Sequence, residues 1–141
     1  MARLPVFGVA SIFVIFAHFQ VLNSFTVRLT PNIKEQTSNL GGSFVSTCSY
    51  DDVSPSDNVK IHWTDPYNKT IKDVDGNQRV YYEKVHSGLK LFVKHINEKD
   101  TGKYSCRVVV NGMPKEEHFK LTLLHIVLHI RILSDMLALT I

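Results

Sequence analysis

Cysteine is scarce in this chain. There are two, Cys48 and Cys106, in 141 residues. Two thiols cannot build a disulfide-dense miniature scaffold or a four-cysteine zinc site. Charge of one sign is also lacking. Lys and Arg number 16 against 13 Asp and Glu, a net of +3, with none of the dense basic striping of a nucleic-acid binder. Catalytic signatures are missing as well: no Gly-x-Ser-x-Gly, no phosphate-cradling glycine loop and no His-Glu-x-x-His. The chain is therefore read as a non-enzyme with no cofactor and no nucleic-acid partner. What is present is 44% apolar content, enough for a core and too much for a disordered chain. The length allows one domain, at about 100–200 residues each.

Much of that apolar content lies at the ends. Residues 1–24 read as a signal peptide: Arg3, an apolar run from Val6 to Phe19, and small Ser24 at the exit. The run is shorter than the ~20 residues of a spanning helix, although an uncleaved anchor is the alternative. A leader of this kind delivers the chain to an oxidising compartment, where Cys48 and Cys106 can pair. Residues 125–141 form an apolar tail interrupted by His125, His129, Arg131 and Asp135. A central Arg or Asp costs about 2.5–3.5 kcal/mol each on insertion, which disfavours a span. No polar spacer of the kind a glycolipid-anchor signal needs precedes the tail. His125 and His129 lack a third metal ligand. The tail is left without a role, and membrane association stays open. Setting aside Arg3, Arg131 and Asp135 lowers the charge from +3 to +2 on the middle, too little to name a partner.

The middle, residues 25–124, is a series of short alternating runs between turn signals, the pattern of an all-β sandwich. Strands are expected at Phe25–Thr30, Ser43–Ser49, Val59–Trp63, Arg79–Val85, Leu89–Val93, Lys103–Val110 and His118–Leu124. Ser49–Asn58 reads as a loop. Leu89, Leu91 and Val93 share one face. Asn111-Gly112 is a strong hairpin signal, with Met113-Pro114 suggesting a connection longer than two residues.

Three elements then align. Cys48 lies in one strand, Trp63 in the next, and Asp100-Thr-Gly102-Lys-Tyr104-Ser-Cys106 leads into a later one. This Cys…Trp…Asp-x-Gly-x-Tyr-x-Cys combination resembles the immunoglobulin superfamily, in its intermediate or I-set form, over roughly residues 25–124. The resemblance implies a two-sheet Greek-key sandwich with one inter-sheet disulfide, Cys48 to Cys106. It implies Trp63 packed on that disulfide, and Tyr104 as a tyrosine corner bonded to upstream backbone. It also implies an ion pair between Arg79 and Asp100. Closing so long a loop should stabilise the domain by about 4 kcal/mol on the chain-entropy account. Ser46 departs from the pattern, since a core-facing position there is usually apolar and a hydroxyl needs a partner. Trp63-Thr-Asp65-Pro66-Tyr-Asn-Lys-Thr-Ile71 is similar to a stretch in the first domains of fasciclin-type neural cell adhesion proteins, which implies adhesion or receptor binding.

The expected function is a secreted or cell-surface binding module for protein–protein recognition or cell adhesion. Its partner would be an extracellular protein: a second copy, or another immunoglobulin-like protein. The alternatives are a soluble immune-type factor that binds glycans or microbial surfaces, and a truncated receptor fragment. Asn68-Lys69-Thr70 is an N-glycosylation sequon, and a glycan there would cover a sheet edge. The tip residues Asn111, Gly112 and Met113 are candidate partner contacts. Lys84, Lys90, Lys94, Lys99 and Lys103 suggest a basic surface for an acidic glycan or protein face. Asp51, Asp52 and Asp57 lack the ordered Asp-x-Asp-x-Asp-Gly pattern of a calcium loop.

Overall fold

A computed structural model describes residues 24–124 and 135–138. The proposed leader, apart from Ser24, lies outside the described residues, as do His125 and His129. Residues 135–138 form a helical turn. No helix among the described residues is long and apolar enough to cross a membrane.

The strands are β1 (Thr26–Thr30), β2 (Glu35–Ser38), β3 (Phe44–Asp51), β4 (Val59–Thr64), β5 (Val80–Val85), β6 (Gly88–Val93), β7 (Gly102–Val110) and β8 (Met113–Leu123). A single 3-10 turn at Glu98–Asp100 precedes β7. They form two four-stranded sheets, ordered β1-β3-β6-β5 and β2-β8-β7-β4. All pairings are antiparallel except β2 with β8, which is parallel. The crossing of the chain from one sheet to the other at Pro31 leaves β1 and β2 on opposite sides of the sandwich.

The alternation read from the sequence is what fills the space between the sheets, because successive side chains on a strand point to opposite faces. Leu29, Leu89, Leu91 and Val93 meet Trp63, Tyr104, Val108, Phe119 and Leu121, all buried. Phe119 is the hub. Its ring lies 5.3 Å from Tyr104, 4.9 Å from Phe44 and 5.9 Å from Trp63.

Three expectations need correction. β2 was not anticipated: Glu-Gln-Thr-Ser has no apolar alternation and pairs only at a sheet edge. β3 runs on to Asp51, so the loop after it is shorter than expected, because Thr26 and Val27 of β1 pair with Asp51 and Tyr50. The β7–β8 connection is a tight two-residue turn, with Val110 opposite Met113. Asn111 and Gly112 both take positive φ, 50° and 82°, the geometry that matches strand twist in a two-residue hairpin. Pro114 is tolerated inside β8 because β2 pairs only with Lys120–Leu123, leaving that end of β8 a free edge where a missing N–H costs nothing.

Candidate functional site

The residues singled out by sequence fall into separate places. Cys48 in β3 and Cys106 in β7 are joined, with Cα atoms 6.4 Å apart, so one covalent link ties the two sheets. Among the described residues no cysteine is free. Trp63 sits beside Cys106 through the β4–β7 register and is fully buried. Its Nε1–H crosses the core to donate to the Leu89 carbonyl of the opposite sheet at 3.3 Å. That bond satisfies the indole's one polar group, which burial would otherwise penalise.

Arg79, Asp100 and Tyr104 do converge. Arg79 donates from Nη1 to Asp100 Oδ2 at 2.9 Å and from Nη2 to Oδ1 at 3.1 Å. Nη1 also reaches the carbonyls of Lys94 and His95, each at 3.0 Å. The Asp100 carboxylate is buried and accepts a further bond from the Asn97 amide at 2.8 Å. Asn97 in turn caps the 3-10 turn by accepting from Lys99 N–H. Burial works to raise the Asp100 pKa, but the hydrogen bonds from Arg79 and Asn97, with the guanidinium charge, prevail and hold it below the usual carboxylate range. The same hydrogen bond to Asp100 raises Arg79 further, against the effect of its own burial. Tyr104 donates its hydroxyl to the Asp100 carbonyl at 2.7 Å. Burial, with the nearby Asp100 charge, pushes that phenol well above its ordinary value. These groups anchor β5, the 3-10 turn and β7 to one another and present no open chemistry.

Gly102 completes this corner for two reasons. Its φ is 128°, and a Cβ there would lie 2.8 Å from Pro66 Cβ. The Pro66 turn carries the sequon. Asn68 is exposed with φ 61°, its backbone N–H bonded to the Asp65 carbonyl, while Asp65 Oδ1 accepts from Tyr67 and Lys69. The turn projects from β4, an edge strand.

At the opposite end, Asn111 is engaged within the fold. Its backbone N–H donates to the Asn58 carbonyl, its Oδ1 accepts from Asn58 N–H, and its Nδ2 donates to Asp57. Only Met113 of the three tip residues is a large exposed apolar group. The acidic residues near this end disperse: Asp51 pairs with Arg28, and Asp57 also accepts from Ser54 N–H. Among the described residues no group of three or more His, Cys, Asp or Glu could hold a metal.

The five lysines do not form one surface. Lys103 stands on β7 of the β2-β8-β7-β4 sheet, opposite Lys120 of β8, and Lys99 lies in the 3-10 turn. Lys84 is opposite Leu89, out of phase with Lys90. Lys90 and Lys94 remain: Lys90 shares the solvent side of β6 with Phe92, and Lys94 follows directly after the strand. Phe92 stacks on Tyr81 of β5 with centroids 5.0 Å apart and 15° between planes. Lys90 Nζ lies 5.2 Å from the Phe92 ring, and Lys94 Nζ lies 5.1 Å from Tyr81 and 5.9 Å from Phe92. Attraction of an ammonium to a ring face accounts for these positions. This cluster was missed in the sequence. The signal was there: if Leu89, Leu91 and Val93 face inward, Lys90 and Phe92 must face out.

The chain matches the family described as the immunoglobulin I-set domain over residues 27–123. Among solved structures, it is similar to the M1 domain from titin at 16% identity and a TM-score of 0.57, over 72% of this chain and 95% of that one. It is similar to the titin fragment I67–I69, in an E-to-A variant, at 16% identity and a TM-score of 0.57, over 71% of this chain and 32% of that one. It also matches part of the twitchin kinase region from C. elegans at 18% identity and a TM-score of 0.55, over 72% of this chain and 16% of that one. At these identities the likeness concerns the fold. No curated protein matches the chain.

Proposed function

Because this chain belongs to the immunoglobulin I-set family, whose domains generally serve protein–protein interaction, we propose that it is an extracellular recognition module, secreted or held at a cell surface, that takes part in adhesion or receptor binding. The observation that carries this reading is the Cys48–Cys106 disulfide. Structural disulfides form and persist in oxidising compartments, and the apolar run from Val6 to Phe19 behind Arg3 reads as the leader that takes the chain there. Asn68 is exposed on a turn at a sheet edge, where a glycan can be accommodated. A working surface on the sheet faces or loops suits a fold whose interior is committed to packing.

The test is expression of the full chain in animal cells. The expected result is protein in the medium, Cys48 linked to Cys106 in non-reducing peptide maps, and binding to at least one member of a panel of purified cell-surface ectodomains that includes the chain itself. Retention in the cytosol with free thiols, or secretion with no binding across the panel, overturns the proposal.

A further inference from the structure

Asn111 and Gly112 form the two-residue turn between β7 and β8, and both are exposed to solvent. The pair carries chemistry of its own. The peptide nitrogen that follows an asparagine can attack the side-chain amide carbon, and glycine hinders that attack least because it has no Cβ. Here the nucleophile is accessible. Among the described residues the Gly112 N–H has no hydrogen-bond acceptor, and nothing lies within 4 Å of where a Cβ would stand.

The electrophile is held. Asn111 Oδ1 accepts from the Asn58 N–H at 2.9 Å, and Nδ2 donates to Asp57 Oδ1 at 2.8 Å. Asp57 is itself braced. Its Oδ2 accepts from the Ser54 N–H at 2.8 Å, and its own N–H donates to the Ser54 carbonyl at 3.0 Å. Both polar atoms of the Asn111 amide are thus engaged by the segment between β3 and β4. Bonds at an exposed loop open locally, ahead of global unfolding.

We propose that Asn111 is a latent deamidation site, closed by its bonds to Asn58 and Asp57 and exposed when the hairpin tip opens. In the open state the Gly112 nitrogen, having lost its proton to solvent base, forms a bond to Asn111 Cγ. The Cγ–Nδ2 bond breaks, and the amide nitrogen takes up a proton and leaves as ammonia. Water then opens the cyclic imide at either carbonyl, giving aspartate or isoaspartate. Water enters, ammonia leaves, and nothing is oxidised or reduced. Placement of the two groups on adjacent residues makes the attack effective. The change runs one way at this place. An aspartate would face the Asp57 carboxylate where Nδ2 now donates, and like charges at that separation repel. An isoaspartate would add a main-chain atom to a turn whose two residues set Val110 opposite Met113. Either product keeps the tip open. The inference concerns this turn alone and stands independently of the recognition reading.

The test is incubation of the folded full chain at mildly alkaline pH, followed by peptide mapping, ammonia assay and enzymatic labelling of isoaspartate. A synthetic peptide of residues 108–115 is the unclamped reference. Modification at Asn111 is expected to be at least about tenfold slower in the folded chain than in the peptide, the ratio that two modest hydrogen bonds sustain. Asp57→Ala removes one of those bonds and should speed the reaction about fivefold. Asp57→Asn keeps an acceptor oxygen and should stay near wild type. Urea below the unfolding transition covers the case in which Asp57→Ala does not fold: the wild-type rate should rise in step with amide exchange at Asn58. After modification, or in Asn111→Asp, exchange at Asn58 should be faster than in the untreated chain. Equal rates in chain and peptide, a rate insensitive to both Asp57→Ala and urea, or unchanged Asn58 exchange in the modified chain each overturn the proposal.

Discussion

The Tyr104 hydroxyl donates to the Asp100 carbonyl at 2.7 Å, while the Asp100 carboxylate, on the same residue, grips Arg79. One residue thus links the 3-10 turn to β7 through its main chain and to the segment before β5 through its side chain. The corner depends on both bonds.

Tyr104→Phe keeps the ring stacked on Phe119 and removes only the hydroxyl. The Asp100 carbonyl is then left without its donor, at a cost of about 1–3 kcal/mol. A lower urea midpoint with an unchanged denaturant slope is the expected outcome.

Asp100→Asn leaves the guanidinium of Arg79 without its carboxylate. Loss of a partner from a buried pair costs about 3–5 kcal/mol, and the two-fifths exposure of Arg79 brings the expectation nearer 2. Because the folded pKa of Asp100 is depressed, the contribution is present above the unfolded carboxylate value near ~3.9 and is lost as pH falls through the folded value. Stability curves of wild type and Asp100→Asn should therefore converge in acid, below about pH 4, and separate fully by neutral pH.

Ser46 is 1% exposed in β3 and its hydroxyl has no hydrogen-bond partner. Ser46→Ala removes a buried, unsatisfied polar group at little loss of volume. It should leave stability unchanged or raise it by about 1 kcal/mol, read as a higher midpoint on thermal melting.

Gly102→Ala should destabilise by more than about 1 kcal/mol, since both the backbone angle and the Pro66 contact oppose a Cβ. Adding Pro66→Gly relieves the contact but not the angle. The double variant is expected to recover only part of the loss in melting temperature.

Asn111→Ala removes the two side-chain bonds that clamp the hairpin to Asn58 and Asp57 and places alanine at φ 50°. A loss of about 1–2 kcal/mol is expected, with faster amide exchange at Asn58 as its local signature.

How much was legible in the sequence follows from how each feature is encoded. Cys48, Trp63 and Tyr104 are large or reactive residues at fixed spacing, and period-two geometry along β3, β4 and β7 dictates that each faces the interior. β2 carries no such period, being four polar or small residues whose pairing is decided by β8. The Lys103 side of β7 and the Lys90 side of β6 look alike as lists of lysines, and only the assignment of strands to sheets separates them. Phe92 was hidden for the converse reason: an aromatic in a strand is ordinarily counted toward the core, and parity places this one outside.

The parallel pairing of β2 with β8 has a mechanical consequence. Register runs from Glu35 opposite Lys120 to Ser38 opposite Leu123. Tension applied between the two ends of the domain first loads β1 against β3; once that pairing yields, it draws β2 backward by its first residue and β8 forward by its last. The ladder is then loaded in shear, so its bonds must yield together rather than in succession. Beyond that point the chain between Cys48 and Cys106 remains closed by its covalent link, and only the segments outside that loop can lengthen under load.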